Sequence, residues 1–317
     1  MTVKKNPIVA LEEHYWDPDL VALFPGREGK RASELERRMF DMGELRLREM
    51  DEAGIDIQVL SHGAPATQKL DAETSTRMAV QTNDRLAVFV AGKPDRFAAL
   101  AALPTPDPKA AAVELERTVT KLGFKGAMIH GLTNGQFIDE PQYWPIFERA
   151  QALDVPIYLH PSFPHPAVIE AYYKTYAAEF SWLIGPALGF TVETATQCVR
   201  MIISGVFQKY PKLKVVVGHL GEGLPFLLWR MDHFLSRDDR PFREVFEENF
   251  YLTTSGNFSD IALNASIAAL GVDRIMFSVD WPFATNKEGV DWMKATSLDA
   301  ADKAKVLGNN AVSLLKL

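Results

Sequence analysis

Residues 126–160 read GAMIHGLTNGQFIDEPQYWPIFERAQALDVPIYLH. Two short apolar runs, Gly126–His130 and Pro156–His160, bracket a stretch, Tyr143–Leu153, whose apolar residues recur at helical spacing. Strand, helix and strand in that order describe a βαβ unit, two parallel strands joined by a crossover helix. Working outward, six further runs repeat the pattern: Ile8–Glu13, Ile57–Ser61, Phe97–Leu103, Lys214–His219, Phe250–Thr254 and Ile275–Asp280. Helical patterns fill Asp71–Lys93, Asp107–Leu122, Thr191–Ser204, Pro225–Leu235 and Ser259–Leu270, several of them opening on Asp, Ser or Pro. Many strand runs are unbroken apolar stretches, as befits a sheet covered on both faces. Eight βα units close an α/β barrel, the (β/α)8 TIM barrel; an open doubly wound sheet is the structural alternative. A length of 317 residues with 47% hydrophobic content suits one such domain spanning 1–317.

The bulk numbers exclude several partners. A net charge of −7 and a pI near 5.6 leave no excess of positive charge to neutralise a phosphate backbone or an anionic bilayer, so neither nucleic acid nor membrane is expected. No run of apolar residues is long enough to span a membrane, and Met1 to Pro7 lacks the apolar stretch of a signal peptide. Cys198 is the only cysteine, which rules out an intrachain disulfide framework and a cysteine-based zinc site and points to a reducing, cytoplasmic address.

Three longer segments, residues 15–45, 132–142 and 161–185, follow strands and therefore insert at the C-terminal face, where barrel active sites are built. The first carries Trp16 and Phe24-Pro25-Gly26 ahead of a charged middle with Arg27, Glu28, Lys30 and Arg31. It reads equally as a lid, with Phe24 against substrate, or as an exposed excursion.

Chemistry-capable residues collect at the strand ends. Glu12 and His14 end strand 1, His160 ends strand 5, His219 ends strand 6 and Asp280 ends strand 8. Side chains alternate along a strand, so Glu12 and His14 share a face and Glu13 takes the other. Strand termini converge on one mouth, and there two imidazoles and two carboxylates, from Glu12, His14, His160 and Asp280, suit one Zn²⁺ or Mn²⁺ with positions left open. Taken singly, each has a plain alternative: a hydrogen-bonded histidine, or an Asp starting a turn. Their joint placement favours the metal. In Gly218-His219-Leu220-Gly221-Glu222-Gly223 the acid lies three residues after the imidazole, placed either to orient the ring or to cap the following helix. His62 after strand 2, His130 ending strand 4, Asn257 after strand 7 and Arg230 are candidates for substrate contact, against packing or surface roles.

The strings Ala-Leu-Glu-Glu-His at 10–14, Tyr-Leu-His-Pro at 158–161, Gly-His-Leu-Gly-Glu-Gly-Leu-Pro at 218–225, Thr-Thr-Ser-Gly-Asn-Phe at 253–258 and Phe-Ser-Val-Asp-Trp-Pro-Phe at 277–283 carry a family likeness. They resemble the amidohydrolase-superfamily decarboxylases grouped around γ-resorcylate decarboxylase, and the likeness runs from residue 8 to the C-terminus. The resemblance implies a mononuclear metal site on Glu12, His14, His160 and Asp280, with His219 and Glu222 as the active-site pair and Phe283 in the pocket. It further implies that Arg230 reaches a neighbouring subunit's site in a homodimer or homotetramer. The implied reaction is loss of CO₂ from an ortho-hydroxybenzoate without organic cofactor. Independently of the name, a carboxylate and its ortho-phenolate can chelate one metal, and protonation of the carboxyl-bearing carbon makes the C–C bond labile. Asp280 is the expected proton donor, and His219 manages the phenolic proton. The chain departs from γ-resorcylate decarboxylase after His160, where Pro161-Ser162-Phe163-Pro164 lacks basic and amide residues, and at His130 and His62. The competing reading keeps the metal but activates water against a lactone, ester or amide.

Overall fold

The structure is a computed structural model that describes residues 6–24 and 32–317. Its strands are β1 (Val9–Tyr15), β2 (Ile57–His62), β3 (Phe97–Ala99), β4 (Ala101–Ala102), β5 (Ala127–His130), β6 (Pro156–His160), β7 (Lys214–Val217), β8 (Phe250–Thr253) and β9 (Ile275–Met276). Every pairing is parallel and follows chain order, β1-β2-β3 and then β4 through β9.

The expected strand Phe97–Leu103 is interrupted at Leu100. Its first half pairs with β2 and its second with β5, and Leu100 N donates to Leu60 O at 2.9 Å while Ala101 N donates to Gly126 O at 2.9 Å. One chain passage thereby joins the two sheets. The expected Lys214–His219 stops at Val217 because His219 adopts φ +52°, outside the β region. The expected Ile275–Asp280 is regular only to Met276, and no ladder joins β9 to β1 among the described residues. Side chains and single main-chain bonds close the ring there: His14 N donates to Trp281 O at 2.7 Å, Glu12 N to Ser278 Oγ at 2.7 Å, and Glu13 accepts from Val279 N and Trp281 N. The result is the (β/α)8 barrel.

Alternation sorts the apolar side chains into two layers. Val9, Leu11, Val59, Ala98, Met128, Tyr158, Val216 and Met276 fill the interior, sealed from below by Ala311, Leu314 and Leu315 of the C-terminal helix Asn310–Leu315. Leu60, Ile129, Leu159, Val217 and Leu252 face outward against Leu86, Leu115, Phe147 and Met201 of the surrounding helices. Those helices start where the sequence signals them: Asp71 caps Ala72–Ala91, Asp107 caps Pro108–Leu122 and Ser259 caps Asp260–Leu270, each accepting from backbone N–H groups of the first turn. The β1–β2 register slips between Ala10 and Glu13. This bulge matters, because strict alternation could not send Leu11 into the interior and Glu12 into the mouth as well. No helix among the described residues is long and apolar enough to cross a membrane.

Of the three insertions, the first contains helices Pro18–Val21 and Ser33–Phe40, while Arg27, Glu28, Lys30 and Arg31 lie outside the described residues.

Candidate active site

Above the interior layer, one ligand atom each from Glu12, His14, His160 and Asp280 lies within 4.8 Å of the others. His14 Nε2 is 3.2 Å from Asp280 Oδ1 and 3.8 Å from Glu12 Oε1, and His160 Nε2 is 3.1 Å from Glu12 Oε1. The atoms turned away from this centre are all held. Ser61 Oγ is 3.2 Å from His14 Nδ1, and His160 Nδ1–H donates to Pro161 O at 2.7 Å, which fixes the tautomer that leaves Nε2 a lone-pair donor. The Tyr158 hydroxyl donates to Glu12 Oε2 and sits 2.6 Å from Thr253 Oγ1.

The atoms turned toward the centre are not satisfied. Glu12 Oε1, His14 Nε2 and Asp280 Oδ1 are buried without a well-formed hydrogen bond. Buried carboxylate oxygens are costly in that condition, and a converging N₂O₂ set of this kind fits one divalent cation. The surrounding charge has the same sense. Burial opposes ionisation of His14, yet the Asp280 and Glu12 carboxylates outweigh it and raise the imidazole to about 9. Burial would likewise raise Glu12, but His160 and His219 pull it well below the usual carboxylate range.

Beside this cluster, His219, Leu220, Gly221, Glu222 and Gly223 all have positive φ, +52°, +57°, +82°, +51° and +76°. This left-handed turn costs roughly 1–2 kcal/mol per non-glycine residue, so the surroundings must hold it. Leu220 N donates to Thr253 O, Gly221 N to Gly218 O and Asn257 Nδ2 to His219 O. The turn brings positions three apart together: His219 Nδ1 meets Glu222 Oε1 at 2.8 Å, and Thr191 Oγ1 donates to Glu222 Oε2. His219 Nε2 is thereby aimed inward, 4.0 Å from both Glu12 Oε1 and Asp280 Oδ2. Burial opposes charge on this ring as well, and Glu222 and Glu12 raise it well above the ordinary histidine range.

These groups open onto a cavity of about 530 Å³ walled by Trp16, Met39, Phe163, Trp182, Phe190 and Phe283. Phe283 stands edge-on to His14 with ring centres 5.9 Å apart. The other candidates sit elsewhere. His62 lies behind the wall against Tyr15, donates from Nδ1 to Gly63 O, and is pushed by burial down to about 4. His130 is buried against His160 with ring centres 4.7 Å apart, its backbone clasped by Gln68, and burial holds it well below the ordinary range. Asn257 supports the His219 carbonyl, and Phe24 is half-buried away from the lining. Arg230 is exposed on helix Leu224–Leu235, 5.8 Å from the Phe234 ring.

The sequence reading passed over Tyr158 and Gly218. Tyr158 lies two residues before His160, on the same strand face, which was the available signal. Gly218 has to be glycine for a reason visible only in three dimensions: a Cβ there would fall 2.6 Å from Glu12 Oε2.

The amidohydrolase family pattern matches residues 13–317. The chain belongs to the amidohydrolase family. Within it, the γ-resorcylate decarboxylase of Polaromonas sp. (strain JS666) is 42% identical, over 98% of this chain and 99% of that protein. The crystal structure of a 2,6-dihydroxybenzoate decarboxylase complexed with 2,6-dihydroxybenzoate superposes with a TM-score of 0.89 at 41% identity, covering 98% of this chain and 99% of that one. A dihydroxybenzoic acid decarboxylase from Polaromonas sp. JS666, with bound manganese and the inhibitor 2-nitroresorcinol, gives 0.89 at 42% identity over 98% and 97% of the two chains. This amidohydrolase therefore shares fold and near-complete length with decarboxylases of hydroxylated aromatic acids, one of them solved with bound manganese, and itself carries a donor cluster fit for one metal ion.

Proposed function

We propose that this amidohydrolase is a carboxy-lyase acting on an ortho-hydroxybenzoate-type acid, with Glu12, His14, His160 and Asp280 holding one divalent ion. The observation that carries the reading is the set of buried donor atoms pointing at one centre beneath an aromatic cavity. Neighbouring structures with manganese favour Mn²⁺ over Zn²⁺. Such an ion supplies a Lewis acid for the substrate carboxylate and its ortho-phenolate oxygen.

The remaining work falls to the chain. Trp16, Phe163, Trp182 and Phe283 hold the ring and exclude water from the reacting carbon. Asp280, with Oδ1 toward the donor set and Oδ2 toward His219, delivers a proton to the carbon that bears the carboxylate. A C–H bond forms there as the ring loses aromaticity. The bond to the carboxylate then breaks, its electron pair returns to the ring and CO₂ departs, for a net uptake of one proton. His219, held by Glu222, passes its proton to Asp280 and takes the phenolic proton in its place.

Helix Leu224–Leu235 exposes Phe226, Leu227, Trp229 and Phe234 around Arg230, and Trp182 is 67% exposed at the cavity rim. An apolar surface of this kind beside the site supports a homo-oligomer in which Arg230 serves a neighbouring copy. A lone, buried, unpaired Cys198 suits the cytoplasm.

The test is product analysis. Manganese-loaded protein offered salicylate, 2,3- and 2,6-dihydroxybenzoate and a panel of lactones should release CO₂ from one of the aromatic acids. Lactone opening without CO₂ release overturns the assignment in favour of hydrolysis.

A further inference from the structure

Glu13 is fully buried and contributes nothing to the donor set, yet its carboxylate brackets the residue on which proton delivery turns. Val279 N–H donates to Glu13 Oε1 at 2.9 Å and Trp281 N–H donates to Glu13 Oε2 at 3.1 Å, with Asp280 between them. The Ser278 hydroxyl lies 3.3 Å from Glu13 Oε1 and accepts from Glu12 N at 2.7 Å. Asp280 itself has φ +71°, a left-handed conformation that strains an L residue and persists only where neighbours over-determine it.

The rest of the segment is anchored independently. Thr254 Oγ1 bonds both Ser278 O and Ser278 N, Gly256 N donates to Val279 O, and His14 N donates to Trp281 O. Asp280 O accepts from Phe283 N and Ala284 N as well, and Glu13 adds one bond on each side of Asp280, to the N–H of the residue before it and to the N–H of the residue after it. Its two oxygens match two N–H donors, whereas the amide of Gln, of the same length, offers one oxygen. Trp281 cannot swing away, because its indole is fully buried beneath the Arg46 guanidinium, 3.9 Å from the ring.

We infer that Glu13 is the positioning residue for Asp280: by clamping the amides of Val279 and Trp281 it holds the left-handed kink that aims the Asp280 carboxyl at both the donor set and the substrate. The inference rests on the reading that Asp280 is a metal ligand and proton donor.

Glu13→Gln replaces one acceptor by an amide that faces N–H with N–H. It should weaken manganese affinity, measured by chelator competition, and kcat for the acid that releases CO₂, each by about 10- to 100-fold, with KM within about threefold. Glu13→Asp keeps both carboxyl oxygens but withdraws them by one methylene, and should fall between wild type and Glu13→Gln. The deciding readout is a double-mutant cycle on manganese affinity: with Asp280→Ala already present, Glu13→Gln should cost under about threefold, since no carboxyl remains to be aimed. An equal loss in both backgrounds, or no loss in either, overturns the inference. So does failure of both Glu13 variants to fold, which would make Glu13 a requirement of the barrel seam. Full turnover by Asp280→Asn would instead refute the proton-donor reading, while the affinity cycle still judges Glu13.

Discussion

Gly218→Ala is a small change aimed at the largest buried charge in the site. The added methyl would lie 2.6 Å from Glu12 Oε2, too close to persist, and 3.3 Å from the Tyr158 hydroxyl, a tight contact. Residue 218 is not among the positive-φ glycines, so no backbone strain adds to the effect and the clash alone is tested. Interior packing below leaves Glu12 little room except to rotate, which breaks its bond from Tyr158 and swings Oε1 away from His160. A hydrogen bond to a buried carboxylate contributes about 1.5–3 kcal/mol, which at about 1.4 kcal/mol per decade is roughly 10- to 150-fold in cation affinity. That range overlaps the loss of about 10- to 100-fold expected when a group behind a metal ligand is removed. Chelator competition with Mn²⁺ reads the affinity directly, and the metal-dependent rise in Tm, which follows ligand concentration over Kd, gives a second measure. Tyr158→Phe should move both readouts in the same direction, and the double variant should lose little beyond Gly218→Ala because both changes break one bond. Unchanged affinity in Gly218→Ala, or full additivity with Tyr158→Phe, would refute the argument that the glycine exists to seat Glu12.

Asp280→Asn should lower turnover by about 10²- to 10⁴-fold with circular dichroism unchanged, whereas Glu222→Gln, which only orients His219, should cost about 10- to 100-fold; equal small losses would mean the proton donor is misassigned. His62 gives a pH signature: the folded ring stays neutral to about 4, while the unfolded one protonates near 6.5. Only the unfolded chain binds that proton between those values, so His62 contributes nothing above 6.5 and removes stability as the pH falls, reaching about 3 kcal/mol near pH 4. Urea denaturation of His62→Phe should therefore show a shallower acid decline than wild type across that window, and parallel curves would exclude the mechanism. Arg230→Ala should reduce activity and Trp229→Glu should shift the particle mass seen by light scattering to the monomer; a variant pair that changes neither removes the cross-subunit role.

The barrel was readable because its signals are local and repeated. Runs such as Pro156–His160 and helices capped by Asp71, Asp107 and Ser259 each announce themselves within a dozen residues, and the observed boundaries fall close to them. The donor set was readable for a related reason: Glu12, His14 and His160 lie at strand ends and Asp280 just beyond one, and parallel strands in a barrel must end at one mouth. His62 and His130 also end strands, yet neither lines the cavity: His62 packs on Tyr15 and His130 against His160. Position along a strand tells which rim a residue occupies. It does not tell whether the ring turns toward the centre or into the packing beside it, which for His62 is decided by Gly63 O and Tyr15.

What stayed hidden has a common physical origin. Strand alternation supplies a face for each side chain only while the backbone remains extended, and the groups of the candidate site sit where it does not. The register slip before Glu13 lets Leu11 and Glu12 both point inward. The left-handed turn at 219–223 brings His219 onto Glu222, and the kink at Asp280 turns a strand end into a donor. Each departure is held by a partner distant in sequence: Asn257 and Thr253 for the turn, and Glu13, some 266 residues away from Val279, for the kink. The same alternation that placed Glu12 and His14 at the mouth assigned Glu13 to the opposite side, where it looked idle. In the folded chain that opposite side is the seam between β1 and the segment after β9, and a carboxylate there can replace the missing ladder while setting the aim of the residue it encloses. On the proposed reading, barrel closure and proton delivery share one side chain, so a change at the seam is expected to register in chemistry before it registers in stability.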